Sequence, residues 1–202
     1  MFSNHMLGLL YDAPKEWREI GQEPSETISQ VYLRHALLLA LIPPFALYLG
    51  STQMGWSTAA GELVYLASDS AAVMAVAFYF SLLIGLALMS FVMHALEYIF
   101  GSTVSYERCL MLTLYTSTPL FLAGIAGVVP VFWFDVMVVL LAATYSIYLI
   151  FTGVPVLMDM PPAKGAVFSL LVALIGLCML VAGMGITVIL WGMGIAPGYL
   201  PG

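Results

Sequence analysis

Charge is what this chain has least of. Five Lys and Arg stand against eleven Asp and Glu, and charged residues make up 8% of the 202. A typical soluble domain carries about 25%. So few charged side chains cannot cover a water-exposed surface, which excludes a soluble enzyme and a disordered chain. The shortage of basic residues also excludes a nucleic-acid binder, because nothing neutralises phosphates. Cysteine is nearly absent too. Cys109 and Cys178 both lie in apolar runs, so two reduced, buried thiols are expected rather than a disulfide scaffold or a metal pair. Nucleophile elbows, HExxH, CxxC and phosphate loops are missing. Neither a cleavable leader nor a lipidation motif is expected: the first apolar stretch, 6–11, is short and has no basic residue before it.

What the chain has in excess is apolar sequence. Hydrophobic residues reach 62% and mean hydropathy is +1.04. A spanning helix needs about 20 mainly apolar residues. Five segments qualify, near 36–50, 71–100, 109–129, 131–152 and 166–191. The expected class is all-α: a polytopic bundle of five transmembrane helices with short amphipathic helices ahead of it. Residues 1–35 form an arm, 36–192 the membrane domain and 193–202 a short tail. No internal repeat is visible, which argues against an inverted-repeat transporter.

The basic residues orient the bundle. Lys15, Arg18 and Arg34 precede span 1, Arg108 lies between spans 2 and 3, and Lys164 between spans 4 and 5. All five fall on one side. The positive-inside rule puts that side, with the N-terminus, in the cytoplasm and the C-terminus outside. Trp56, Trp133 and Trp191 then mark the outer interface and Trp17 the inner one.

In the arm, Asp12 is expected to cap a helix with Pro14 in its first turn. Pro24 ends it and Ser25 caps the next. Trp17 and Ile20 share one face. That face suits either a helix lying among lipid headgroups or one docked on the bundle.

Candidate chemistry is sparse. No ionisable residue falls near the middle of a span, which counts against a proton-coupled pump. His94 and Glu97, at i and i+3, share a helical face and are a weak metal candidate. The richest polar stretch is "YTSTPLFLAG", 115–124. Pro119 removes a backbone donor and disrupts the bond to the Tyr115 carbonyl. Tyr115, Thr116, Ser117 and Thr118 either heal that kink or line a cleft with Thr144 and Tyr145 of span 4. Ala123 with Gly127, and Ser81 with Gly85, permit close helix approach.

The arm motif "LLYDAPKEWREI", the span 3 segment "RCLMLTLYTSTPLFLAGIAGVVP" and the later "YLIFTGVPVLMDMPPAKG" resemble the Yip family of Ypt/Rab-interacting membrane proteins. They are most similar to its small bacterial inner-membrane branch. The resemblance implies five spans, a cytoplasmic N-terminus and a multi-pass inner-membrane location. Eukaryotic members are associated with Rab GTPases and vesicle formation. This arm of about 35 residues lacks their long extension, so a Rab partner is not expected. The expectation is a non-enzymatic membrane protein with no cofactor, whose partners are membrane lipids, itself or other membrane proteins. The alternative is a small-solute or lipid transporter or scramblase using the span 3–4 hydroxyls.

The orientation is directly testable. Alkaline phosphatase fused after residue 202 will be active, and the same enzyme fused ahead of residue 1 inactive.

Overall fold

The computed structural model describes residues 5, 8–9, 11–22, 34–57, 63–129, 131–193 and 196–200. The expected Pro24–Ser25 break and the turn at Pro130 lie outside these residues. Five helices are long and apolar enough to cross a membrane. They are preceded by α1 (Ala13–Gly21). The first span, Arg34–Met54, contains α2 (Ile42–Leu49) and ends in a π-turn, Gly50–Met54. Then come α3 (Ser68–Phe100), α4 (Tyr106–Ala123) with a 3-10 extension, Gly124–Val128, α5 (Phe132–Leu157) and α6 (Pro162–Gly192). The strand content is a two-residue pairing of Trp56–Ser57 with Leu63–Val64.

Bilayer solvent explains which faces are buried. On α3, Val76, Phe80, Ile84, Leu88 and Phe91 form an exposed stripe at three- and four-residue spacing. Such a face is tolerated in lipid and would aggregate in water. By contrast, α4 is the most enclosed of the five spans. It packs on α3 on one side and α5 on the other. Its "LTLYTSTP" sequence, poor in bulky aliphatics, suits a helix shielded from acyl chains.

The first span is broken as its prolines require. The turn at Ala40–Leu41 is followed by Pro43 in the opening turn of α2, where no intrahelical donor is lost. Here α2 crosses the 3-10 extension of α4. A Cβ at Gly124 would stand 2.6 Å from the Pro43 ring, so only glycine admits this crossing.

One end of the bundle is closed by the arm. Asp12 caps α1, its carboxylate accepting from the Lys15 amide at 3.3 Å, and a proline lies in the first turn. The apolar face is docked on the bundle rather than laid among headgroups: Trp17 and Ile20 are both 0% exposed. The Trp17 Nε1–H donates to Thr152 Oγ1 at 3.2 Å. Its ring meets Tyr115 edge-on at 5.8 Å. A Cβ at Gly153 would lie 2.7 Å from that indole and 2.7 Å from Leu112 Cδ1. The arm is thus seated between α4 and α5, and the Tyr145 hydroxyl fixes it further by donating to the Leu9 carbonyl at 2.5 Å.

The opposite end is laced by the chain's tail. Ala67 N–H donates to Gly198 O at 2.9 Å and Leu200 N–H to Tyr65 O at 3.0 Å. Gly198 N–H reaches Ser70 Oγ at 2.9 Å. The basic residues all belong to the arm's end: Lys15 and Arg18 lie in α1, and Arg34, Arg108 and Lys164 at the arm-side starts of their helices.

Two substitutions test the seat. Trp17→Ala removes a fully buried aromatic, a change costing about 3–5 kcal/mol in packed cores. Gly153→Ala forces the indole or Leu112 to move, at about 1–3 kcal/mol. Both variants will be cut by trypsin after Lys15 and Arg18 several-fold faster than the parent in mild detergent, with the helical signal retained.

Candidate functional site

The hydroxyls of α4 are spent locally. Thr113 donates to Cys109 O at 2.8 Å, Thr116 to Leu112 O at 2.8 Å and Thr118 to Leu114 O at 2.9 Å. This back-bonding hides a hydroxyl in apolar surroundings and bends the helix slightly. Pro119 lies inside α4, and none of these three bonds goes to the Tyr115 carbonyl. Tyr115 is fully buried under Trp17. Thr144 is exposed on the lipid side of α5, bonded to Leu140 O at 2.8 Å. Tyr145 is committed to the arm. The seven residues from Tyr115 to Tyr145 therefore do not converge on one polar cleft between α4 and α5. Of these seven, Ser117 lines the cavity between α2, α3, α4 and α6.

That cavity, about 560 Å³, lies between α2, α3, α4 and α6 and reaches the start of α5. Ser117, Gly85 and Gly176 come from the middles of their helices, and Gly127 and Asp135 from the end away from the arm. It therefore runs from mid-bundle towards that end. Its wall is mostly apolar, including Phe78, Leu82, Met89, Phe121 and Leu180, with Ser81, Thr113, Ser117 and Asp135 as the polar positions. Both Asp135 carboxylate oxygens are buried and meet no hydrogen-bond donor among the described residues. Burying a polar group without a partner is costly, and an ionised carboxylate far more so. In the sequence Asp135 is simply an acidic residue near the start of span 4. Its seclusion is a product of helix packing and leaves no local signal in the sequence. A second, largely apolar hollow of about 530 Å³ lies at the laced end, among Leu47, Leu66, Met74, Trp191 and Tyr199.

The other constellation is at the arm's end, where α3 turns into α4. His94 Nδ1 approaches Glu97 Oε1 at 3.0 Å, with the Glu97 side chain 4% exposed and His94 43% exposed. The second Glu97 oxygen accepts the Val104 amide at 3.0 Å, which pins the loop 101–105. Gly101, with φ +73°, ends α3 in the left-handed conformation that favours glycine. The chain thereby doubles back and lays fully buried Cys109 beside the pair. One ligating atom from each of His94, Glu97 and Cys109 falls within 4.8 Å of the others. The i, i+3 spacing revealed the first two. Cys109 joins them only through the helical hairpin, so spacing could not announce it.

Because Thr118 bonds only its own helix, Thr118→Val will leave stability within about 1 kcal/mol of the parent, read as detergent thermal midpoint. A loss well beyond that would show that the hydroxyl serves a group outside α4.

Residues 7–183 match the Yip1 domain. The chain is 34% identical over 177 residues to the inner membrane protein YohC of Escherichia coli strain K12, covering 88% of this chain and 90% of that protein. It is equally similar to YohC of E. coli O6:H1. No solved structure matches it. With five helices able to span a bilayer and a domain match over most of its length, the chain belongs to the Yip1 family, as a multi-pass protein of the inner membrane.

Proposed function

We propose that this protein is a non-enzymatic membrane-organising protein that works by holding a phospholipid in its interhelical cavity. The observation that carries this reading is the unpaired, buried Asp135 carboxylate at one end of an apolar cavity of about 560 Å³. Such a site matches an amphiphile with a cationic head and an apolar tail. An acyl chain fills the wall of Leu82, Met89 and Phe121, and a headgroup ammonium reaches the Asp135 carboxylate, whose covered oxygens turn towards it by side-chain rotation. Asp135 is in the first turn of α5, at the depth where a headgroup begins. Positive-inside charge would put this end outside, so the lipid belongs to the outer leaflet. Ethanolamine headgroups supply the ammonium, whereas glycerol headgroups do not.

A transport route through the α4–α5 hydroxyls has less support. Thr116 and Thr118 are bound to their own helix and Tyr145 to the arm. The family is not a known enzyme family, and no nucleophile–base pair accompanies the cavity.

Native mass spectrometry of protein extracted gently from its own membrane tests the reading. The parent will retain phospholipid, with ethanolamine headgroups enriched over glycerol ones. Asp135→Asn will erase that preference. Gly85→Phe, at a position where a new Cβ meets nothing within 4 Å, will fill the cavity and strip the lipid while the thermal midpoint holds. A parent that flies bare under conditions that preserve lipid on other membrane proteins overturns the proposal.

A further inference from the structure

Glu97 poses an electrostatic problem that no Lys or Arg solves. Its side chain is 4% exposed, and its single ion-pair partner among the described residues is His94. Yet His94 Nδ1, although 3.0 Å from Oε1, has no partner in hydrogen-bonding geometry. The two atoms approach without an N–H pointing along the line between them. The in-plane direction of Nδ1, which carries either its proton or its lone pair, is turned away from Oε1, so the nitrogen and the carboxylate are close without using each other and are open to a third atom. Cys109 is fully buried beside them and brings a sulfur to the same point.

We propose that His94, Glu97 and Cys109 form a binding site for a divalent transition metal of the zinc class. Nitrogen, oxygen and sulfur donors together select a borderline-soft ion over calcium or magnesium. Zinc distances of about 2.3 Å to sulfur and about 2.0 Å to nitrogen place tetrahedral ligands roughly 3.2–3.6 Å apart. The present spread, within 4.8 Å, closes to that range with small side-chain rotations. Binding takes neutral His94, ionised Glu97 and the Cys109 thiolate, and the thiol proton leaves to solvent. The charges then cancel, two positive against two negative, which suits a site at the edge of the hydrocarbon. Three protein ligands leave a fourth position for water or another donor, on the side where His94 is exposed. The Val104 amide already orients the second Glu97 oxygen, as outer-shell donors do in metal sites. The ion would clip the end of α3 to the start of α4 across the loop 101–105.

The site is independent of the lipid cavity, and its test reads metal directly. The full chain, carrying a tag without histidine, is purified from zinc-supplemented cells and analysed for metal. It is then stripped and titrated with cobalt. One zinc per chain is expected, together with a thiolate-to-cobalt charge-transfer band. Cys109→Ser will abolish that band, whereas Cys178→Ser, at an exposed thiol, will keep it. His94→Ala and Glu97→Gln will weaken cobalt binding by roughly tenfold or more, with metal-free thermal midpoints showing that each variant folds. No stoichiometric metal and no cobalt band in the parent overturns the site. So does a band that survives Cys109→Ser.

Discussion

Inside a bilayer no water is available to take up a stray hydrogen-bonding group, and most of the buried hydroxyls of this bundle answer to that constraint. Thr113, Thr116 and Thr118 turn their hydroxyls back onto carbonyls one turn earlier. Ser90 does the same with Leu86 O. A polar-looking span can therefore be an interior span. The stretch whose hydroxyls the sequence left open to either kink repair or a cleft lies in the most enclosed helix of the five, packed against α3, α5 and the arm. Pro119 is tolerated there because its neighbours pack around it, whereas a helix facing lipid on all sides would expose the freed carbonyl.

The same constraint explains the arm. Between α4 and α5, at the end where both carry polar side chains, the bundle needs an apolar wedge with one donor. Trp17 is that wedge: its ring fills the notch left by Gly153, and its single N–H finds Thr152. Thr152 in turn donates to the Tyr148 carbonyl at 3.0 Å, so the hydroxyl is used in both directions. Thus α1 is amphipathic for a reason other than membrane binding. Its apolar face covers protein, and its charged face, with the Lys15–Glu19 contact at 3.8 Å, is left to solvent.

Much of this fold is legible in the sequence. Length and apolarity yield the five spans. Asp12 with Pro14 yields the start of α1, and small residues at Ala123 and Gly127 mark a close crossing. What pattern leaves open is which of two sound environments a face chooses. Trp17 and Ile20 fit a headgroup layer as well as a protein groove. Only the notch at Gly153, more than a hundred residues away, decides for the groove. Cys109 and Asp135 are hidden for the same reason: their significance lies in neighbours supplied by other helices. The hydroxyl run leaves a choice of the same kind, since local back-bonding and a polar cluster share one sequence pattern.

Scarcity of charge ties these observations together. The five basic residues sit at one end of the molecule, on α1 or at helix starts, where they can reach water. Two acids are nevertheless buried, Glu97 near that end and Asp135 at the other, and among the described residues neither pairs with a Lys or Arg. A buried anion is a standing cost that a soluble protein usually meets with a guanidinium or ammonium of its own. This chain has too few cations, in the wrong places, to do so. On the two proposals above, these two acids are matched to positive charge from outside the chain, and they differ in what they can accept. Asp135 lines an apolar cavity, the shape proposed for a headgroup on a long tail. Glu97 is hemmed in by an imidazole and a thiol, where only a bare ion fits. The poverty of charge that first identifies a membrane protein also leaves its two buried carboxylates without a Lys or Arg partner among the described residues, which is the ground for both proposals.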